Sequence, residues 1–300
     1  MFVSRGVCSK VARKDFTLEK AKTFFKSFEG GKVELSFKNE DLAQILITNE
    51  GKKNSFTGMF VKYLLDYTNI LTGKMFSDFD DCITSLESLA LLPKVVVIKG
   101  SGNDFCSGGD LNFVKEIADT EGGYWMNCYF GNVLNRLSQL PVLSVADIRG
   151  YCLGGGTEVA ANCDMRIFHE NAKFGVVQGK MGVIQTWNGA GKLMEIVGKK
   201  NAVKLLMMGI ILKADEALEY GLADQIYDSE EDFNKFIGKI SQNSREVIQN
   251  GKLMFNALNN CKYSKHSHPT DQHSIEIEYS TKLWGSKGHK VALANVVKHK

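Results

Sequence analysis

Apolar and polar positions along the chain change between a two-residue period and a period of nearly four residues, which predicts strands that alternate with helices. The predicted strands cover residues 33–38, 43–48, 95–98, 142–148, 164–168, 174–177, 210–212 and 223–227. The predicted helices cover residues 18–28, 59–71, 79–92, 111–118, 124–140, 187–197, 201–208 and 214–220. This alternation indicates an α/β protein with a mostly parallel sheet that is covered on its faces.

The pattern and the local composition divide the chain into three predicted parts. Residues 1–30 form a basic lead-in, residues 31–228 form the α/β core, and residues 229–300 form a helical C-terminal region. The start of the lead-in contains basic residues but no acidic ones, which is typical both of a mitochondrial transit peptide and of a disordered basic segment. The sequence leaves both alternatives open.

Composition narrows the class of protein only slightly. The net charge of +3 gives no reason to expect nucleic acid or a membrane as a partner, and no apolar run is long enough to span a bilayer. The 7 cysteines are scattered without a Cys-x-x-Cys pair, which predicts reduced thiols inside a cell. We expect Cys106 and Cys152, which flank glycine-rich turns, to pack as small apolar residues.

The most informative stretch is the glycine-rich turn at residues 151–160, which follows an apolar strand and opens a helix. Gly154, Gly155 and Gly156 let the backbone turn sharply and expose the first N–H groups of the helix, which suit an oxyanion or a phosphate. Glu158 falls on the same helix face as Gly155, so a carboxylate lies beside an anion-stabilising N–H group. An open alternative is that the glycines serve helix–strand packing. A nucleotide loop is disfavoured, because the turn lacks the P-loop and dinucleotide-binding endings.

A second glycine-rich loop, at residues 103–111, follows the fully apolar strand 95–98 and also enters a helix. If the two loops sit at the carboxyl ends of neighbouring parallel strands, they face one crevice. One N–H group near Gly109 and one near Gly155 would then hold a single oxygen. Such a pair of donors suits a reaction in which a carbonyl becomes an enolate.

Both loops resemble those of the enoyl-CoA hydratase/isomerase (crotonase) superfamily. The resemblance rests on residues 105–111 (FCSGGDL), 150–158 (GYCLGGGTE) and 163–166 (CDMR), and it extends over about residues 33–227. It implies acyl-CoA thioester substrates and a homotrimer or a hexamer of two trimers. The expected fold is a crotonase-like ββα spiral core with a C-terminal helical region.

The resemblance also assigns roles to residues. The oxyanion hole falls on the backbone N–H groups of Gly109 and Gly155, and the two proton-transfer positions fall on Glu158 and Gln178. The predicted CoA contacts are Asp110, Leu111, Asn112, Lys52, Lys53 and Asn54. No metal and no organic cofactor is implied, because CoA is part of the substrate.

Gln178 distinguishes this chain from hydratases, which resemble each other in having two glutamates. An amide is neither an acid nor a base at neutral pH, so water addition by a carboxylate pair is not expected. Further segments, among them residues 180–184, resemble a branch of the superfamily that decarboxylates ethylmalonyl-CoA and, more weakly, methylmalonyl-CoA. Gln185, Asn188 and Lys192 depart from the residues usual in that branch.

The predicted function is therefore decarboxylation through an enolate, as metabolite repair in the cytosol. In this hypothesis a protonated Glu158 or a bound water returns a proton to the α-carbon, and in the alternative Glu158 only orients the loop of Gly155. Two other functions stay open: an enoyl-CoA isomerase or hydratase that uses Glu158, and a non-catalytic acyl-CoA-binding protein. The alternative location is the mitochondrion.

Three histidines near the C-terminus invite comparison with a metal site. His266, His268 and His273 lie close to Asp271 and flank a proline, which predicts an exposed loop. Their spacing matches no closed structural metal site, so we expect no metal there.

Overall fold

The computed structural model describes residues 15–49, 70–262 and 269–294. Its strands are β1 (Lys32–Phe37), β2 (Leu42–Thr48), β3 (Ile70–Leu71), β4 (Val95–Gly100), β5 (Gly108–Gly109), β6 (Leu143–Ile148), β7 (Tyr151–Leu153), β8 (Met165–His169), β9 (Lys173–Gly175), β10 (Ile211–Lys213) and β11 (Gln225–Tyr227). Its helices are α1 (Leu18–Lys26), α2 (Gly73–Glu87), α3 (Leu111–Glu116), α4 (Thr120–Gln139), α5 (Gly155–Ala161), α6 (Gly189–Met208), α7 (Ala214–Glu219), α8 (Glu230–Ser241), α9 (Arg245–Lys262), α10 (Pro269–Leu283) and α11 (Lys287–Ala294). A turn of 3₁₀ helix covers Gln178–Met181.

The largest sheet contains six strands in the order β1-β2-β4-β6-β8-β11. Strands β1 and β2 form an antiparallel hairpin, and the other neighbours in this sheet are parallel. Residues Val95 to Ile98 of the central strand β4 are all buried, which explains why this strand is apolar at each of these positions. The mostly parallel sheet is as the sequence predicts.

Helices cover both faces of the six-stranded sheet. On one face Val96 belongs to a large core together with Phe76 of α2 and Phe130 of α4. On the other face Val97 packs in a smaller core with Phe233 of α8. Because Val95 to Ile98 alternate their side chains between these two cores, both faces of this part of β4 are apolar.

Strands β4, β6 and β8 each lead into a short second strand outside the large sheet, and then into a helix. Strand β5 pairs with β3, whereas β7 and β9 pair with each other in a three-stranded sheet that also contains β10. The repeating unit is therefore strand, strand, helix. This topology confirms the predicted ββα core and the helical C-terminal region, while the domain boundaries near residues 30 and 228 stay a prediction.

Two helices predicted between residues 59 and 92 differ from their predicted bounds. The helix predicted at 59–71 is wrong at Ile70–Leu71, which forms β3, and its other residues lie outside the described ranges. The helix predicted at 79–92 begins earlier, as α2, because Thr72 caps it: its hydroxyl accepts the Met75 N–H at 3.4 Å.

The helix that follows the predicted site is also different in detail. The helices predicted at 187–197 and 201–208 join into α6, which is broken at Gly198, where φ is 74°. The first of them starts later than predicted because Asn188 adopts a left-handed conformation with φ 63°. A left-handed residue turns the chain before the first helical residue, Gly189.

Candidate active site

The structure brings the two glycine-rich loops into direct contact. Gly108 has φ +104°, and a Cβ atom placed on it would lie 3.1 Å from the backbone nitrogen of Gly155. Cys106 pairs in parallel with Cys152, and the N–H group of Leu153 donates to the carbonyl of Cys106 at 2.9 Å. The loops therefore lie side by side, as the sequence analysis expects.

The third glycine of the first loop is needed for this contact. A Cβ atom on Gly156 would lie 2.1 Å from the carbonyl oxygen of Cys106, a distance that no side chain tolerates. Close packing of α5 against the second glycine-rich loop therefore requires glycine at position 156. Cys106 and Cys152 are fully buried, as predicted, and burial raises the pKa of the Cys106 thiol to about 12. At neutral pH that thiol is protonated and does not act as a nucleophile.

An aromatic wall covers the start of α5. A Cβ atom on Gly155 would lie 2.5 Å from Cζ3 of Trp187, so the indole ring packs directly against this glycine. The indole ring meets Phe76 and Phe130 edge to face, with ring centroids 5.3 and 4.9 Å away. Because these rings exclude water, a hydrogen bond from the first N–H groups of α5 is stronger than in solvent.

Glu158 lies one turn into α5 with both carboxylate oxygens engaged. It is only 3% exposed. Its Oε1 accepts the backbone N–H groups of Thr186 at 2.6 Å and Trp187 at 2.9 Å. Its Oε2 accepts the side-chain Nε2 of Gln178 at 3.1 Å. The two predicted proton-transfer positions are therefore in direct contact.

The surroundings of Glu158 shift its proton affinity toward neutral pH. Burial raises its pKa to about 7, although the hydrogen bonds from Thr186, Trp187 and Gln178 act in the opposite direction. All three donors are neutral, so they do not hold the carboxylate in its ionised form as a cation would. A carboxyl group with a pKa near the working pH can both hold and release a proton.

Gly189 and Asn162 fix the position of Glu158, the first by contact with its side chain and the second by a hydrogen bond to its main chain. A Cβ atom on Gly189 would lie 2.4 Å from Cγ of Glu158, so only glycine leaves room for the carboxylate arm. The side-chain amide of Asn162 donates to the carbonyl of Glu158 at 2.8 Å and to that of Trp187 at 3.0 Å. Asn162 thereby ties α5 to the segment that supplies the N–H donors.

The sequence predicts Glu158 and Gln178 as the two proton-transfer positions, but it does not reveal the residues that hold the Glu158 carboxylate. Thr186 and Trp187 act through backbone N–H groups, which leave no mark in the sequence. The usable signal was the pair Asn188-Gly189, since asparagine tolerates left-handed backbone and glycine allows a close approach. That pair marks a tight turn into a helix.

Three of the residues predicted to contact CoA lie at the N-terminus of α3. Asp110 precedes Leu111, and its Oδ1 caps the helix by accepting the N–H groups of Asn112 at 2.8 Å and Phe113 at 3.0 Å. Its Oδ2 is buried and has no hydrogen-bond partner. A cavity of about 510 Å³ opens at this helix end, lined by Ser27, Phe28, Glu29, Thr72, Asp110, Asn112, Phe113 and Glu116. A larger cavity of about 720 Å³, beside β11 and α8, is lined by none of the predicted site residues.

Some predicted residues lie outside the described ranges, namely Lys52, Lys53, Asn54, His266 and His268. Asp271 and His273 are exposed, as predicted, but the predicted loop is wrong there because both residues lie in α10. Within the described ranges, no three His, Cys, Asp or Glu side chains are grouped to hold a metal ion, and no helix is long and apolar enough to cross a bilayer. That the reaction needs no metal or organic cofactor stays a prediction.

Comparison with known proteins identifies the class to which this fold and site belong. The family model for enoyl-CoA hydratase/isomerase matches residues 66–287 of the chain. The chain therefore belongs to the enoyl-CoA hydratase/isomerase family.

Curated relatives make the similarity more specific. The chain is 32% identical to the ethylmalonyl-CoA decarboxylase of Xenopus tropicalis, over 95% of this chain and 90% of that protein. It is 33% identical to the protein of the same name from Xenopus laevis, with the same coverage. The chain is 28% identical to the human ethylmalonyl-CoA decarboxylase, over 81% of this chain and 74% of that protein.

Solved structures share the fold. The enoyl-CoA hydratase from Thermoplasma volcanium GSS1 has a TM-score of 0.75 and 25% identity, covering 89% of this chain and 97% of that one. A Thermobifida fusca YX structure, solved in complex with CoA, has a TM-score of 0.69 and 18% identity, covering 90% of this chain and 97% of that one. The second likeness concerns the fold alone.

Proposed function

We propose that the chain decarboxylates ethylmalonyl-CoA and, more weakly, methylmalonyl-CoA, as metabolite repair. The observation that carries this proposal is that buried Glu158 faces an amide, Gln178, where hydration would need a second carboxylate. Similarity to proteins named ethylmalonyl-CoA decarboxylase over 95% of the chain supports the same activity.

The proposed reaction breaks the bond between the α-carbon and the substrate carboxylate. The electron pair of that bond moves to the α-carbon and delocalises onto the thioester oxygen, while CO₂ leaves. The backbone N–H groups of Gly109 and Gly155 donate to this oxygen, and each donor lowers the barrier by ~3 kcal/mol. The side-by-side contact of the two glycine-rich loops supports two donors on one oxygen.

Glu158 is the proposed source of the proton that completes the reaction. With a pKa of about 7, a large fraction of the side chain is protonated at neutral pH. The proton moves from Oε2 to the α-carbon and forms the new C–H bond. The ionised carboxylate then takes a proton from water, so each turnover consumes one proton and releases one CO₂.

The proposed CoA site extends from α3. The unpartnered Oδ2 of Asp110, with Glu29 and Glu116 on the same cavity, suits N–H groups of CoA better than its phosphates. Further contacts to CoA are assigned to Lys52, Lys53 and Asn54. A homotrimer or hexamer in the cytosol completes the proposal.

The test measures CO₂ release by the purified protein from ethylmalonyl-CoA, methylmalonyl-CoA and malonyl-CoA, with hydration of crotonyl-CoA as the control. We expect CO₂ release from ethylmalonyl-CoA to be fastest and hydration to be absent. Hydration or isomerisation without CO₂ release would replace the proposal with an isomerase or hydratase that uses Glu158. Retention of CoA thioesters without turnover would support a non-catalytic binding protein.

A further inference from the structure

Only one end of the Gln178 side-chain amide forms a hydrogen bond. Gln178 is 8% exposed, and its Nε2 donates to Oε2 of Glu158 at 3.1 Å. Its Oε1 is buried and has no hydrogen-bond partner. A buried carbonyl oxygen without a donor lowers stability, so its presence at this position calls for a reason.

Glu158 becomes a donor for this oxygen when it is protonated. Its Oε1 already accepts two backbone N–H groups, from Thr186 and Trp187, so the proton is held by Oε2. An ionised Oε2 accepts a hydrogen bond from the Nε2 of Gln178, whereas a protonated Oε2 donates one to the Oε1 of Gln178. The two ends of the amide therefore match the two charge states of the carboxyl group.

We infer that Gln178 is a positioning residue whose amide reverses with the charge of Glu158, an inference that rests on the proposed function. While Glu158 is protonated, Oε1 of Gln178 accepts its Oε2–H, and Nε2 turns to the opposite side and donates to the substrate carboxylate. After CO₂ has left and the proton has moved to the α-carbon, the acyl group is neutral. The Nε2 group then returns to the ionised Glu158. The Nε2 group thus donates to whichever group is negatively charged, first the substrate carboxylate and then Glu158.

Neighbouring charges do not take over this role. Charged side chains on neighbouring elements have other contacts: Asp110 caps α3, Arg136 binds carboxylates of α2, Arg166 binds Asp224, Lys180 extends along Gly209, and Lys192 binds Glu195. The pKa of Glu158 responds first to burial and then to its three hydrogen bonds, of which Gln178 supplies the one from a side chain. Removing Gln178 therefore acts on Glu158 directly.

Gln185 provides a matched control. It is buried to a similar degree, 4% exposed, and its Oε1 also lacks a hydrogen-bond partner. Its Nε2 donates at 3.1 Å to the hydroxyl of Thr157, the residue just before Glu158 in α5. Because a hydroxyl does not titrate near neutral pH, the amide of Gln185 has no charge state to follow.

The test compares the wild type with Gln178→Met, Gln178→Glu and Gln185→Met in the full chain. The pKa of Glu158 is measured without substrate by ¹³C NMR of labelled glutamate side chains, and KM for ethylmalonyl-CoA is measured across pH. In Gln178→Met the pKa of Glu158 should rise relative to the wild type, because the ionised form loses a charge-assisted hydrogen bond whereas the protonated form loses only a weaker neutral one. KM should rise roughly tenfold, because the substrate carboxylate loses a charge-assisted hydrogen bond.

The two other variants make the result specific. Gln178→Glu preserves size and packing if the methionine variant folds poorly, and its added charge should raise the pKa of Glu158 and increase KM further. Gln185→Met should leave the pKa of Glu158 at the wild-type value. An unchanged pKa in both Gln178 variants, or an unchanged KM in both, overturns the inference. If the wild type releases no CO₂, the proposed function fails, and the NMR titration still decides whether Gln178 controls the pKa of Glu158.

Discussion

Two buried carboxyl groups of this protein have pKa values that are shifted in opposite directions. Glu158 in the candidate site accepts only neutral donors, and burial raises its pKa to about 7. Asp80 on α2 is 5% exposed and accepts hydrogen bonds from Tyr129 at 2.9 Å and from Lys22 and Arg136. Burial alone would raise the pKa of Asp80, but these partners outweigh it and leave the pKa lowered.

The difference shows that burial by itself does not make a carboxylate reactive. Asp80 is paired with cations that join α1, α2 and α4, so it is ionised at neutral pH and its role is structural. Glu158 is buried to the same extent without a cation, so its charge changes close to neutral pH. The identity of the donors, neutral or charged, separates the two roles.

The largest expected effect is on turnover. Glu158→Gln keeps an oxygen for the N–H groups of Thr186 and Trp187 but has no proton to give. We expect CO₂ release from ethylmalonyl-CoA to fall roughly 10²–10⁴-fold, measured as kcat. The control is Asp80→Asn, which should change kcat little in the fraction that is folded. Equal kcat in Glu158→Gln and the wild type would mean that Glu158 only orients the loop of Gly155.

The next effect is on stability as a function of pH. The raised pKa means that the folded state keeps the Glu158 proton between the ordinary value of 4.5 and about 7, whereas the unfolded chain loses it. The free energy of unfolding therefore falls as pH rises through this window, by up to ~3 kcal/mol. Glu158→Gln should lack this fall in urea titrations at several pH values. Asp80, with a lowered pKa, contributes stability above its ordinary value and loses it as pH falls.

A smaller effect should follow from filling the space behind Glu158. Gly189→Ala places a methyl group against the Glu158 side chain and should lower the free energy of unfolding by about 2 kcal/mol, as overpacking does. The comparison is Gly191→Ala on the same helix, where a Cβ atom meets nothing within 4 Å. That variant should gain about 0.5–1 kcal/mol from helix propensity. Equal changes in the two variants would argue against a tight fit at Gly189.

The smallest expected effect is on the free energy of unfolding when one partner of Asp80 is removed. Lys22 is partly exposed, and Arg136 and Tyr129 remain on Asp80 when it is removed. Lys22→Met should therefore cost only about 0.5 kcal/mol in thermal or urea unfolding. A loss as large as that of Asp80→Asn would show that Lys22, rather than Arg136, keeps Asp80 ionised.

The sequence predicted the frame of the candidate site better than its details. The apolar run at 95–98 follows from burial on both faces of the strand, and the three successive glycines before Thr157 follow from close backbone packing. Both requirements leave a direct mark in the sequence. The donors to Glu158 leave none, because Thr186 and Trp187 use main-chain N–H groups from 28 and 29 residues further along the chain. Their position depends on tertiary packing.

The same limit explains the error in the secondary structure. Residues 59–71 have helical spacing, yet Ile70–Leu71 forms a strand because it pairs with Gly108–Gly109 of the second loop. Pairing with a distant segment outweighs local propensity for so short an element. The error therefore falls where the candidate site is assembled from distant parts of the chain.

Main-chain atoms form most of the contacts between the two glycine-rich loops, through the carbonyl of Cys106 against Gly156 and the N–H group of Leu153, and the Asp104 carboxylate adds one by accepting the N–H group of Tyr151 at 2.9 Å. The spacing of the two proposed oxyanion donors is therefore insensitive to most side chains around it. In evolutionary terms, the anion-binding frame can be inherited unchanged while the residues that choose the acyl group diverge. A lineage built on such a frame can acquire a new substrate through a few substitutions, without passing through an inactive ancestor.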